Sequence, residues 1–472
     1  MFGCGTKYLQ PALQCVFTIL YTALKLTAEH RFVLCLLMCY NGSMGKKRRN
    51  RKKKNRVSIR RSFLTPFLLT LGMVSGTGIC GILIWLWVVE PARPVDNSHF
   101  QLTWERVEGR EKNKPDEQQS EEKIEEIKST NDKYADVLGD TEYMIENNIY
   151  AKDAADPEQV TIAFAGDILF DENYAIMTHV VGNNNIANGI TPELIAEMKR
   201  ADIMMLNNEF PYSDRGEPLE EKQFTFRAKP AAVNYLKDLG VDIVSLANNH
   251  AYDYGEPAFL DTMRILEEAG IASVGAGNNL AQARRPVYYI INNMKIAIVS
   301  ATQIERLDTP DTKGATDSSA GVFRCWNGDN LLETVREAKE NSDFVIAYLH
   351  WGTENVEEID WAQEKQAPEV AEAGADLIIG SHPHCLQKID VVKGVPVIYS
   401  LGNFWFNSKQ VDTGMVRVTL NEDGLRSFQF VPCRQSGCRT SLLQGEEKKQ
   451  VLDYMRGLSA GVRIDEEGYV SW

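Results

Sequence analysis

Several things are scarce in this 472-residue chain. None of its nine cysteines falls in a CxxC pair, which removes the usual thiolate zinc ribbon or finger from consideration. No segment repeats at a fixed period, so solenoids and propellers are excluded. Acidic residues are almost missing from the first 89 positions, where Glu29 stands alone against 14 lysines and arginines. Beyond them the balance reverses to 37 bases against 64 acids. An acidic body of that kind is a poor nucleic-acid binder, because phosphate contacts depend on clustered Lys and Arg, and no nucleic-acid partner is expected. Histidine is rare too, with 7 in the whole chain.

What replaces charge between Ser62 and Val89 is a run of apolar residues containing no charged side chain. A helix needs about 20 such residues to cross the hydrocarbon core. Lys46 to Arg61, just before it, holds 11 Lys and Arg, and the positive-inside rule keeps such a cluster in the cytoplasm. The expectation is a single-pass cell-membrane protein, with 1–61 cytoplasmic, 62–89 an uncleaved transmembrane anchor and the C-terminal domain extracytoplasmic. A cleaved signal peptide would have a shorter apolar core, about 7 to 15 residues, whereas Trp85, Leu86, Trp87 and Val89 prolong this one. Met44 offers a natural start ahead of the basic cluster, so an over-called beginning over 1–43 is an expectation.

From 90 to 158 the composition is Glu, Lys, Gln, Asn and Asp with few apolar residues, and it reads as a flexible charged stem. The folded domain is expected over 159–432, with 433–472 as a C-terminal extension. Cys433 and Cys438 could bridge on the oxidising side of the membrane or remain two thiols. Strand-length apolar runs at 160–165, 202–207, 241–246, 343–349 and 375–379 alternate with helical patterns at 191–200, 230–239, 256–269, 328–341 and about 361–373. That alternation predicts an α/β sheet with crossover helices. A hairpin over 287–300 and antiparallel strands at 387–392, 395–400, 413–420 and 425–431 suggest a second sheet.

The predicted strand ends carry the chemistry. They run into Gly166-Asp167, Asn208-Glu209, Asn248-Asn249-His250, His350 and Ser381-His382-Pro383-His384. Carboxyl ends of strands in open α/β sheets form the binding crevice, so these scattered residues could converge. Turns explain Gly, Asn, Asp and Ser, but they do not require Glu, His and a His-x-His pair. In extended chain His382 and His384 would face the same side and could grip one ion or two adjacent ones. Imidazole and carboxylate ligands suit Zn, Fe or Mn.

With Leu206-Asn207-Asn208-Glu209, Phe226-Arg227-Ala228-Lys229-Pro230, Asp253, Gly255, His350-Trp351-Gly352, Glu354 and Ser400-Leu401-Gly402-Asn403-Phe404 added, the run from Thr161 to about Val431 resembles the CapA family of capsule and poly-γ-glutamate biosynthesis proteins, related to the calcineurin-like metallophosphatases. The resemblance implies a four-layer αββα sandwich and one or two divalent transition-metal ions. Asp167, Glu209 and His384 would form one site; Glu209, Asn249, His350 and His382 would form the other. His250 would be the general acid, with Asp253 orienting it or else capping the following helix. Arg227, Lys229, Glu354 and Asn403 would meet substrate, while Trp351 and Phe404 could line the crevice or belong to the core. The superfamily normally has a histidine two residues after the first aspartate, where this chain has Leu169, so the resemblance implies a first site that is weaker or fills only with substrate.

The leading functional expectation is a membrane-anchored metal-dependent hydrolase acting on a cell-envelope or capsule polymer, at a phosphoester or amide bond, in poly-γ-glutamate biosynthesis. The alternative is a non-catalytic subunit of a polymer synthesis and export complex that binds the anionic chain and contacts membrane subunits.

Overall fold

The computed structural model describes residues 130–220, 222–304 and 312–472. The expected cytoplasmic segment 1–61, the anchor 62–89 and the stem as far as 129 lie outside the described residues. Among the described residues no helix is long and apolar enough to cross a membrane.

The apolar runs build two sheets in a mixed α/β fold. One has seven strands in the order β1 (Ile149–Ala151), β7 (Val287–Ile291), β8 (Met294–Thr302), β10 (Phe344–His350), β11 (Leu377–Ser381), β13 (Val395–Ile398) and β12 (Ile389–Val392). The other runs β17 (Arg439–Leu442), β16 (Gly424–Ser436), β15 (Val411–Asn421), β2 (Val160–Ile168), β3 (Ile203–Asn208), β4 (Ile243–Ser245) and β5 (Ala272–Val274), with β14 (Asn403–Trp405) set against β2. Short pairs join β6 (Ala276–Gly277) to β9 (Gly321–Val322) and β18 (Arg463–Ile464) to β19 (Val470–Ser471). The strands that bring functional residues run parallel within each sheet: β2, β3 and β4 in one, β10 and β11 in the other. Their carboxyl ends therefore share an edge.

Period-two alternation sends each strand's side chains to two different cores. Ile162, Phe164 and Met205 meet Ile296, Ile298, Ile346 and Tyr348 between the sheets. Ala163, Met204 and Leu206 face helices α3 (Pro192–Met198), α4 (Val233–Leu239) and α5 (Gly255–Glu268). Ala297, Val345 and Ala347 face α6 (Asp329–Glu340) and α7 (Trp361–Ala373). Local signals set the helix ends. Gly240, at φ 75°, closes α4, and Asp360 with Gln363 forms a capping box on α7. Two polar ties cross the inter-sheet core: the Tyr348 hydroxyl donates to the Ala165 carbonyl at 2.9 Å, and Ser245 Oγ lies 2.8 Å from Ser300 Oγ. They lock the sheets in register just below the shared edge.

Three expectations are corrected. The part of the 90–158 stem that is described is folded: α1 (Ala135–Gly139) and α2 (Thr141–Glu146) lead into β1, which pairs in parallel with β7 and buries Leu138 and Ile149. Its apolar residues were too sparse to show periodicity, yet a strand already formed elsewhere supplies their partner. Residues 433–472 are no appendage, because β16 runs through position 433 and α8 (Gly445–Leu458) puts Val451, Leu452 and Met455 into the inter-sheet core. The late antiparallel strands do not form a sheet of their own. The 389–398 hairpin extends the seven-stranded sheet, and β15 and β16 extend the other from β2.

Candidate metal centre

Each strand end has a local reason for its residues. At Gly166 a Cβ would sit 2.0 Å from the Gly402 carbonyl oxygen, so only glycine lets β14 lie against β2. The next residue, Asp167, donates its N–H to that carbonyl at 3.1 Å and stands opposite Asn403. Asn248 pins the loop after β4: its carboxamide donates to Asn207 Oδ1 at 3.0 Å and to the Asn208 carbonyl at 2.9 Å, and it accepts the His250 N–H at 3.0 Å. His382 and His384 do not lie in extended chain. Both have positive φ, 98° and 57°, so the segment turns and parts the two imidazoles. Such backbone costs about 1–3 kcal/mol per residue and persists where its surroundings hold it.

The outcome is two overlapping groups, Glu209 with His350 and His382, and Asp167 with Glu209 and His384, each offering atoms within 4.8 Å of one another. His350 Nε2 lies 2.9 Å from Asn249 Oδ1, 3.1 Å from His382 Nδ1 and 3.7 Å from Glu209 Oε1. Donors about 2.0–2.1 Å from a tetrahedral ion stand about 3.3 Å apart, so this spacing suits one cation. The other face of the His350 ring is occupied, Nδ1 lying 3.1 Å from Ser381 Oγ and 3.3 Å from Asn207 Nδ2. That leaves Nε2 for the ion. In the second group His384 Nδ1 is 3.2 Å from Asp167 Oδ2 without hydrogen-bond geometry.

Electrostatics agree with a cation. Burial, then Asp167 and Glu354, raise the Glu209 carboxyl well above its usual range. Burial and neighbouring imidazoles push His350 and His382 well down, leaving neutral rings with free lone pairs. Burial is the largest influence on His384 and acts to lower it, but Asp167 and Glu354 act the other way and the net shift is upward. Glu209 Oε1, His384 Nδ1 and Asn403 Oδ1 are buried without a hydrogen-bond partner. Orphans of this kind cost about 1–3 kcal/mol each unless something fills the gap. Two carboxylates, three imidazoles and two carboxamides fit a divalent transition ion, as expected from imidazole and carboxylate ligands. The Asp167 group is the poorer in donors, because Leu169 is 1 % exposed and packed in the core beneath.

Beside the ligands lies His250, whose Nδ1–H faces Asp253 Oδ2 at 2.7 Å. Burial lowers its pKa despite that carboxylate. Asp253 makes no helix cap, since α5 has no side-chain cap. Its carboxylate instead accepts from Lys222 Nζ at 2.5 Å and from the Phe226 N–H at 2.7 Å, and the Phe226 ring packs on His250 at 4.4 Å. Lys222, Asn207 and Ser381 were not singled out as functional from the sequence. Asn207 and Ser381 had a signal, being polar residues at the ends of buried strands, whereas Lys222 sits in a polar loop that offers none.

Of the expected substrate contacts, Asn403 stands opposite Asp167 with its Oδ1 buried and unpartnered, and the exposed Glu354 acts to raise the pKa of both Glu209 and His384. Two are engaged elsewhere. The Arg227 guanidinium stacks on Tyr254 at 4.1 Å and reaches the carbonyls of Arg215 and Gly216, and Lys229 pairs with Glu172 at 2.6 Å. Both charges satisfied local loop partners that the sequence did not reveal. Trp351 and Phe404 are fully buried core residues. Cys325, Cys385, Cys433 and Cys438 are free thiols, and burial raises Cys325 to about 12.

Comparison with known proteins agrees with the residue pattern. The family described as "Bacterial capsule synthesis protein PGA_cap" matches residues 161–408. The capsule biosynthesis protein CapA of Bacillus anthracis is 30% identical over 305 residues, 62% of this chain and 72% of that protein. The PGA biosynthesis protein CapA of Bacillus subtilis (strain 168) is 29% identical over 280 residues, covering 58% and 71%. A probable polyglutamine synthesis accessory protein of Mycobacterium tuberculosis is 28% identical over 221 residues, covering 44% and 57%. The matched region contains Asp167, Glu209, Asn249, His350, His382 and His384 alike, and on this evidence the chain belongs to the CapA family of bacterial capsule synthesis proteins.

Proposed function

We propose that this chain is a membrane-anchored, extracytoplasmic metal-dependent hydrolase that acts on an envelope or capsule polymer during poly-γ-glutamate biosynthesis. In this reading the two sheets and their helices form the four-layer αββα sandwich of the metallophosphatases. The 62–89 segment holds the domain at the cell membrane. The observation that carries the proposal is Glu209, a buried carboxylate shared by both ligand groups, with Oε1 left unpaired.

Mn, Fe or Zn held there would supply Lewis-acid polarisation and activation of water. Glu209 would be shared by the two positions; Asn249, His350 and His382 would hold one ion, and Asp167 and His384 the other. Asp253 holds His250 Nδ1–H, which leaves Nε2 to pass a proton to a departing oxygen or nitrogen. Phe226 covers the imidazole and keeps bulk water from it.

Leu169 favours a second reading, in which the protein is a non-catalytic subunit that binds the polymer within a synthesis and export complex. His250→Ala separates the two. A hydrolase variant loses turnover of phosphoesters or γ-glutamyl amides, assayed with Mn, Zn and Fe, while its metal content is unchanged. Polymer secretion supported at wild-type level by His250→Ala would refute the hydrolase and leave the subunit.

A further inference from the structure

Between β3 and α4 the chain makes a strap. Its ends are drawn together where the Ser213 N–H donates to the Ala228 carbonyl at 3.0 Å and the Ala228 N–H to the Pro211 carbonyl at 2.9 Å. The strap closes over one short segment, Asn249 to Tyr254. Leu219 donates its N–H to the Asp253 carbonyl at 2.9 Å, Gly216 abuts the Tyr254 carbonyl, and Phe226 contacts both Asp253 and His250. In the midst of these contacts lies Lys222, its side chain only 5 % exposed. Its ammonium donates to Asp253 Oδ1 and to the main-chain carbonyl of Asn249.

A buried ion pair of this kind is a weak source of net stability, since apolar residues of similar volume commonly do as well. Its geometry has a more specific effect. The Asn249 carbonyl and the Asn249 carboxamide belong to one residue, and the carboxamide Oδ1 is 2.9 Å from His350 Nε2. Holding the first orients the second.

We propose that Lys222 is a positioning residue of the metal centre: by tying the Asn249 main chain to Asp253, it fixes the Asn249 carboxamide where the Glu209, His350 and His382 group takes its ion. The inference rests on the metal-centre reading above. Partners that orient a ligand typically change metal affinity by about 10–100-fold when removed.

The test titrates Mn²⁺ alone into the full-length chain in mild detergent, followed by calorimetry. Lys222→Met should bind Mn²⁺ about 10–100-fold more weakly at the site that His382→Ala abolishes. Arg215→Met, which loosens the same strap away from Asn249, should stay within about twofold of wild type. Wild-type affinity in Lys222→Met, or equal weakening in both variants, overturns the proposal. No Mn²⁺ binding to the wild type sinks the metal-centre reading itself, and the Lys222 role falls with it. Should Lys222→Met fail to fold, acetic anhydride labelling of the wild type read by mass spectrometry decides. Since coupling is reciprocal, Lys222 should label more slowly than the exposed Lys229, and more slowly again with Mn²⁺. Labelling at the Lys229 rate, or indifferent to Mn²⁺, overturns the proposal.

Discussion

Replacing Gly166 by alanine should damage one half of the metal centre more than the other. The added Cβ would lie 2.0 Å from the Gly402 carbonyl oxygen and 3.1 Å from its carbon, both backbone atoms that cannot swing aside. Relief requires β2 and β14 to part by about 1 Å, on the scale of overpacking that costs about 1–3 kcal/mol. The Asp167 N–H to Gly402 bond at 3.1 Å would break in a buried place, adding about 1–3 kcal/mol. The sum, about 2–6 kcal/mol, is a large share of a typical folding free energy. Asp167 adjoins His384 and stands opposite Asn403, so the ion bound through Asp167 should be lost or much weakened while the His350 and His382 position is less affected. Urea unfolding and Mn²⁺ calorimetry measure the two effects. Gly457→Ala is the control. It lies exposed in α8 with nothing within 4 Å of its would-be Cβ, and should gain about 0.5–1 kcal/mol. A Gly166→Ala protein within about 0.5 kcal/mol of wild type that binds both ions normally would refute the reasoning.

His382→Ala and His384→Ala should each remove a different ion, the first the tighter and the second the weaker, as read by metal analysis after dialysis; loss of both ions from either variant would contradict two distinct positions. Asp261→Asn should lower the urea midpoint at pH 7, because hydrogen bonding to Arg215 holds the Asp261 carboxyl well below its ordinary range. A depressed carboxylate contributes stability above the unfolded value of about 3.9 and loses it as pH falls further, so the gap between variant and wild type should shrink toward pH 3; a constant gap would contradict this. A fragment beginning at residue 159 should be less stable than one beginning at 130. It uncovers the β7 edge and loses Leu138 and Ile149, buried side chains worth about 1.5–3 kcal/mol each. Equal urea midpoints for the two fragments would restore the stem interpretation.

Much of the centre was legible because strands followed by turn residues are local patterns. Asp167, Glu209, Asn249, His350 and His382 each stand at or just beyond the end of an apolar run, and parallel strands align such ends whatever the distance in sequence. The His382 and His384 geometry was not legible. Spacing of two implies a common side only in extended chain, and both residues instead lie in a turn at positive φ. Arg227 and Lys229 looked available because a loop charge has no visible partner until Tyr254 and Glu172 are brought beside it.

By itself the sequence determined which side chains could hold an ion and which strands would carry them, since periodicity and turn chemistry act over a few neighbouring residues. Tertiary structure alone decided that 149–151 joins a sheet, that Asp253 faces His250 instead of capping α5, and that Lys222 is buried against Asn249. The first and last depend on partners tens of residues or more away, and Asp253 turns to His250, three residues off, where the distant Lys222 and Phe226 also meet its carboxylate; only packing specifies which distant groups share a dry interior.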